Sequence, residues 1–496
     1  MMMASTSRIW SLSPAGLFLL RPDDSNCTCT IHLSIDRGFA WCALFWQEVF
    51  SNTLLSLCET AQDPDERCHH HSSSPKPSSR SPTRPMPMVL LRFVPLFIVA
   101  ACAALRTPFV RFGDGSVTRR QAILLPAAAA AAASSFDRAI AADDITASIE
   151  KIVPMATLTA QLSAAAPRNI IITGANSGVG FAGAKILTAA GHRVTLACRT
   201  QAKGDAAAAA CMEWSGNHAS RSGGIAKGAE CDLASLESIR RFAESCKGSP
   251  LDSLVLNAGL ARGTAETDVK RTAEGFEETI GVNHLGHFYL ASLLLPTLAA
   301  SSKEPPRLVI TASPVHDPNS GGGNVGSPAT VGDLSGLRAG KDFAMVDGGA
   351  YDPDKAYKDS KLCNMLFMAE ASRRFAPLGV TVNAFSPGLI ADPKGFFRNQ
   401  NQLFGTVFNA ITQVVGVAET NEFGGSALAY MAVDPSLDDV TGGWYDTLPP
   451  GKHQLAVHKP SAEAQDVGKQ KALWEASAAL VGLPSTPPML AVPPTP

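Results

Sequence analysis

Asn169-Ile-Ile-Ile-Thr173 runs straight into Gly174-Ala175-Asn176-Ser177-Gly178-Val179-Gly180, and a helical pattern follows through Phe181–Ala190. Three consecutive isoleucines between polar residues suit a short strand covered on both faces. The glycines allow a tight turn and let a diphosphate approach the backbone. The helix behind them offers its N-terminal N–H groups and positive dipole to that anion. Glycine turns are common, but the strand–turn–helix context makes this one a dinucleotide-binding signature. Gly174, Asn176, Ser177, Gly178 and Gly180 are therefore expected to bind the cofactor.

Outward from this stretch the same alternation repeats. His192-Arg-Val-Thr-Leu-Ala-Cys198 reads as the next strand, followed by Ala229–Leu233, Leu254–Leu256, Leu308–Thr311 and Val380–Phe385. Strands separated by helix-length segments imply a parallel sheet with helices on both faces. The fold class expected is α/β, a doubly wound parallel sheet of Rossmann type, with its crevice at the carboxyl ends of the strands.

The end of the second strand bears on the type of cofactor. A carboxylate there would hold ribose hydroxyls and repel a 2′-phosphate. This chain instead has Cys198-Arg199-Thr200, with Lys203 one turn on. A guanidinium pairs with phosphate in bidentate fashion, so Arg199 and Lys203 favour NADPH over NADH. Asp232 is placed to accept from the adenine amino group. Asn257-Ala-Gly259 follows the fourth strand, and Asn257 and Gly259 line the adenosine side. Pro387 and Gly388, after the last of the strands named, complete the cofactor set.

Tyr357-Lys-Asp-Ser-Lys361 puts a phenol and an ammonium four residues apart, on one face of a helix. A phenol titrating near 10 exchanges protons poorly at neutral pH unless its anion is stabilised, and an adjacent ammonium does that. Ser313 stands at a strand end, where it can hydrogen-bond a reacting group. Asn283, in Asn283-His-Leu-Gly-His287, can complete a relay through water. Following a glycine fingerprint and an Asn-Ala-Gly, these four residues read as a catalytic set. Ser313 and Tyr357 lie 44 positions apart, with nine glycines between them, and that long insertion reads as a mobile loop beside the reacting centre.

The whole chain has 496 residues, 42 basic and 44 acidic, for a net charge of −2. Without a basic cluster, nucleic acid is not expected as a partner. No apolar run reaches the roughly 20 residues of a membrane-spanning helix. His69-His-His71 has no second ligand cluster at metal spacing, so no metal site is expected. Residues 1–166 read as a leader, largely disordered. Thirteen apolar residues from Phe93 to Leu105, behind a basic flank, resemble a secretory signal. Arg119-Arg120, an apolar segment and Ala139-Ile-Ala-Ala142 resemble a second one. Two signals in series point to a plastid. Residues 167–483 form the expected domain, and 484–496 a Pro-rich disordered tail. Six of the eleven cysteines fall in the leader; the other five are scattered, as reduced, mostly buried thiols would be.

Taken together, these residues resemble the short-chain dehydrogenase/reductase superfamily. Within it the likeness is to the light-dependent protochlorophyllide reductases, carried by Ala356-Tyr-Lys-Asp-Ser-Lys-Leu-Cys-Asn364, Thr272-Ala-Glu-Gly-Phe276, Gly332-Asp-Leu-Ser-Gly336, Met345-Val-Asp-Gly-Gly349 and Leu473-Trp-Glu-Ala-Ser477. The resemblance implies light-driven, NADPH-dependent reduction of the pigment protochlorophyllide. It places Cys363 near the substrate, and the aromatic segment beginning Phe396-Phe397 suits a wide, flat, apolar molecule. One position departs from the family, because Ser386-Pro-Gly-Leu389 puts leucine where a cysteine faces the pigment. A retinal- or carbonyl-type reductase and a non-catalytic NADPH- or pigment-binding relative stay open as alternatives, as do peripheral thylakoid attachment and self-association.

Overall fold

The computed structural model describes residues 10–12, 16–18, 149–264, 266–301, 304–390 and 418–486. The chain divides into two units, Met1–Met88 and Val89–Pro496. In the first, Trp10–Leu12 and Gly16–Phe18 pair as antiparallel strands. The rest of the described chain lies in the second.

Nine strands of that unit make one sheet: β1 (Lys151–Pro154), β2 (Asn169–Thr173), β3 (Arg193–Cys198), β4 (Ile225–Glu230), β5 (Ser253–Leu256), β6 (Arg307–Thr311), β7 (Thr381–Phe385), β8 (Trp444–Asp446) and β9 (Gln454–Val457). Their spatial order is β1-β9-β8-β7-β6-β5-β2-β3-β4. From β4 across to β8 all neighbours run parallel; β9 is antiparallel to β8, and β1 to β9. Among the described residues, the α-helices of six residues or more are α1 (Met155–Ala160), α2 (Gly178–Ala189), α3 (Gln201–His218), α4 (Leu236–Ser245), α5 (Gly286–Ala299), α6 (Pro353–Phe375), α7 (Asn421–Val433) and α8 (Val467–Leu480).

Alternation along the strands sorts the core into two layers. Ile171, Leu254, Leu256, Leu308 and Ile310 meet Phe242, Phe288, Phe367 and Trp474 from α4, α5, α6 and α8. Ile170, Ile172, Val255 and Val309 meet Leu187, Cys211, Phe423 and Leu428 from α2, α3 and α7. Burying each such side chain stabilises the fold by about 1.5–3 kcal/mol. Helix α7 lies tight on α2, since a Cβ on Gly425 would come within 2.6 Å of the Ala182 Cβ. That packing brings the start of α7 over the glycine turn.

Three elements differ from the sequence expectation. Strand β4, the third of those expected from the sequence, is Ile225–Glu230 rather than Ala229–Leu233. It is an edge strand, half exposed, and its Gly228 is demanded by α3, since a Cβ there would lie 2.3 Å from the Asp205 nitrogen. Cys231-Asp232-Leu233 follows it as a turn. The sheet is also wider and not wholly parallel, because the chain doubles back after β8. Finally, the fold begins before residue 167: β1 pairs along β9, and Val153, Leu158 and Leu162 are buried. A four-residue strand with one buried side chain leaves almost no periodic signal.

The insertion between Ser313 and Tyr357 is strapped down rather than loose. Lys358, 2% exposed, donates to the carbonyls of Val325 and Ser327 and pairs with Asp354. Lys355 donates to the Thr330 carbonyl at 3.2 Å and pairs with Asp347 and Asp359. Asp359 in turn accepts from the Thr330 N–H at 3.0 Å. The strap therefore closes on the first turns of the helix that carries Tyr357. Among the described residues no helix is long and apolar enough to cross a membrane.

Candidate active site

Strand β2 lies between β3 and β5, and from it the chain winds first to one side of the sheet and then to the other. Such a switch point opens a crevice at the carboxyl ends of the strands. Gly174 turns there with φ of 65°, and a Cβ on it would sit 2.9 Å from Ala258 Cα; one on Gly180 would sit 2.5 Å from Asn257 Nδ2. The turn is thus pressed against the loop after β5 and leaves the main chain bare. Ser177 N-caps α2 without using its side chain on the first-turn N–H groups. Asn176 is exposed, and Gly178, at φ of 57°, faces Asn421 of α7. This cradle fits a diphosphate.

Thr173 joins the two loops. Its hydroxyl oxygen accepts from the main-chain N–H of Asn257 at 2.8 Å and of Ala258 at 3.0 Å, while Asn257 Nδ2 donates back to the Thr173 carbonyl. Its own hydrogen then goes to His287 Nε2 at 2.9 Å, leaving His287 Nδ1–H to donate to the Asn283 carbonyl at 3.1 Å. Burial lowers His287 to about 4, so the ring is neutral and this tautomer is fixed. His287 was not anticipated, although it falls one helical turn after Asn283 and so on its face.

Just beyond the end of β3, Arg199 and Lys203 are both exposed, and neither pairs with a carboxylate among the described residues. Thr200 caps α3 by accepting from the Lys203 N–H. Asp232 is half buried, its Oδ1 accepting from the Ala234 N–H at 3.1 Å. Two unpaired cations beside a strand end fit a phosphate ester there.

The other candidate residues are carried by α6, whose start is capped by Asp352 accepting from Asp354 and Lys355. Lys361 Nζ stands 5.5 Å from the Tyr357 ring centroid and donates to the Thr311 carbonyl at 3.3 Å. Ser313, two residues beyond β6, hydrogen-bonds the Tyr357 phenol. Burial pushes that phenol upward and the Ser313 contact draws it back down. Burial also lowers Lys361 to about 8, within reach of proton exchange near neutrality. Gly259 completes the junction, with Asn283 Oδ1 and Lys361 Nζ at 3.6 and 3.8 Å from where its Cβ would be.

Asn283 sits in a π-helical turn, Gly281–Leu285, that precedes α5. Such turns often mark functional positions. Its side chain is fully engaged, accepting from the Leu260 N–H and donating to the Leu260 carbonyl and to Ser360 Oγ. It therefore braces the loop after Gly259 instead of offering its amide to a water.

Pro387 and Gly388 form the turn beyond β7. Gly424, at the start of α7, wedges between Val179 and Pro387, so this turn and the glycine loop are held together. Cys363 does not reach the crevice: it is wholly buried in the core, its thiol raised well above the usual range by burial. Three residues past Ser360 on α6, it points toward the packed layer. Phe396 and Phe397 lie outside the described residues.

A doubly wound sheet with a bare glycine turn at its switch point and a Ser–Tyr–Lys set beside it defines a nicotinamide-dependent oxidoreductase of the short chain dehydrogenase class, and the description of that family matches residues 168–323. Among curated proteins the chain is 40% identical over 330 residues to protochlorophyllide reductase A, chloroplastic, of Arabidopsis thaliana, covering 64% of this chain and 77% of that one. It is 37% identical over 390 residues to protochlorophyllide reductase B, chloroplastic, of Oryza sativa subsp. japonica, covering 75% and 91%. The chain belongs to the protochlorophyllide reductase family.

Proposed function

We propose that this chain is a plastid enzyme that reduces protochlorophyllide to chlorophyllide with NADPH when the bound pigment absorbs light. The observation that carries the reading is the gathering of Ser313, Tyr357, Lys361 and Gly259 at one crevice, in a chain so similar to the Arabidopsis reductase. Arg199 and Lys203 would hold the 2′-phosphate, Asp232 the adenine, and Asn257 the adenosine ribose. Gly174, Gly178, Gly180 and the N–H groups behind Ser177 would hold the diphosphate, with Pro387 and Gly388 at the far end. NADPH, when bound, supplies a hydride.

Saturating one carbon–carbon double bond takes one hydride and one proton. Tyr357 holds a proton at its phenol oxygen at neutral pH, because burial keeps the phenol protonated. Ser313 accepts or donates at that oxygen and fixes its direction. Lys361, close to its own titration, stabilises the phenolate left behind after the proton departs. The Leu389 side chain carries no exchangeable hydrogen, so in this chain the proton is assigned to Tyr357. Residues 1–166 would serve as the delivery segment apart from the β1–α1 stretch built into the fold, in keeping with the chloroplastic relatives.

The test is a flash experiment. The chain, NADPH and protochlorophyllide are mixed in darkness and illuminated, and the red absorption band is followed. A shift toward chlorophyllide only after the flash is the expected result. Dark oxidation of NADPH by retinal or simple aldehydes, with the pigment left unchanged by light, would overturn the reading.

A further inference from the structure

The turn after β7 rests on a buried carboxylate. Gly388 has φ of 83°, and a Cβ there would lie 2.4 Å from Glu419 Cγ and 3.2 Å from Thr447 Cγ2. Glu419 is therefore seated directly beneath the turn, its side chain without exposed surface. Its main-chain N–H donates to the Leu389 carbonyl at 2.9 Å. Its carboxylate accepts from His453 twice, from the main-chain N–H at 3.3 Å and from ring Nδ1. Among the described residues, no lysine or arginine pairs with it.

His453 holds an uncommon backbone. Its φ is 51°, in the left-handed region that non-glycine residues enter rarely, and its ring lies 5.7 Å from that of Phe423 on α7. A buried carboxylate is costly unless its hydrogen bonds are satisfied, and here both donors come from one residue in the β8–β9 connection. The contact thus ties three segments together: the turn beyond β7, the entry to α7, and the β8–β9 connection. All of them sit at the edge of the crevice away from Arg199 and Asp232, with β2, β5 and β6 between β3 and β7.

We propose that Glu419 and His453 form a clamp that sets the Pro387–Gly388–Leu389 turn and thereby positions the nicotinamide half of the bound cofactor. Both are positioning residues; neither takes or gives a proton in the reaction. The inference rests on the NADPH reading above. Because the clamp acts at one end of an extended ligand, it affects the two ends of that ligand unequally.

Binding of two probes separates the possibilities. NADPH is titrated by its fluorescence, and adenosine 2′,5′-bisphosphate, which lacks the nicotinamide, by calorimetry, on the full chain and on Glu419→Gln, His453→Gly and His453→Asn. Glycine accepts the left-handed backbone but removes the ring; asparagine accepts it and keeps a side-chain N–H. The expected result is an NADPH affinity lowered about tenfold in Glu419→Gln and His453→Gly, and largely restored in His453→Asn, with the bisphosphate within about twofold throughout. Equal loss of both probes assigns the pair a merely structural part and overturns the clamp, as does unchanged NADPH affinity. If the unaltered chain binds the bisphosphate but not NADPH, or neither, the cofactor reading itself falls and takes the clamp with it.

Discussion

Tyr357 and Lys361 face the same crevice because α6 places residues four apart on one side, and both are buried enough for their proton affinities to move. If Tyr357 gives the proton, Tyr357→Phe lowers turnover by about a hundredfold or more, while NADPH affinity measured by fluorescence stays within about twofold. An equal loss of both would make the hydroxyl a binding group instead. Lys361 sets the pH limb. Its pKa is lowered to about 8, so the ammonium is present below that pH and lost as pH rises through it. Activity that needs the charged form is flat on the acid side and declines above about 8, and Lys361→Arg, which stays charged, moves that decline upward in a kcat/KM profile. That Tyr357 and Lys361 share one helix face was legible in the sequence because they stand four residues apart. Asn283 was legible as a member of the set, but its use was not: the π-turn sends its amide to Leu260 and Ser360, and that geometry belongs to the backbone. Cys363 was misplaced for a related reason, since helical phase decides whether a thiol meets the crevice or the core.

Helix α6 also shows why an element can be read while its surroundings are not. Its Tyr-x-x-x-Lys face and Asp352 cap are written in its own residues. The strap that holds the insertion ends mostly on main-chain carbonyls of Val325, Ser327 and Thr330, which have no side-chain signature. A stretch with nine glycines then looks loose when it is pinned by two lysines of the neighbouring helix. Lys358→Met keeps the aliphatic length and removes the donor. It should cost roughly 1–3 kcal/mol, because two carbonyls lose a charged partner that is almost wholly buried. Limited proteolysis with mass spectrometry should then find the first new cuts near Val325–Ser327, with NADPH affinity unchanged. First cuts elsewhere would mean that the strap does not hold the insertion.

At the scale of the molecule, the parallel core was legible because strands covered on both faces are continuous apolar runs, whereas the three outermost strands on the β8 side were not. Those strands are three or four residues long, and the outermost, β1, is defined only by β9, about 300 positions away in sequence. Their importance can be measured by truncation. Residues 149–166 bury Val153, Leu158 and Leu162, and they give His192 Nε2 the Leu162 carbonyl and Arg221 the carbonyls of Ser163 and Ala165. Removing the three side chains alone forfeits about 4.5–9 kcal/mol, an upper figure because the unfolded chain hides some of that surface. That is comparable with the net stability of a whole domain. Leu455 and Ala456 of β9 would also face solvent at a new sheet edge. A chain comprising 149–496 should melt cooperatively and bind NADPH. One comprising 167–496 should be insoluble or melt at least about 10 °C lower by circular dichroism. Equal melting temperatures would return the start of the fold to residue 167 and reduce β1 and α1 to decoration.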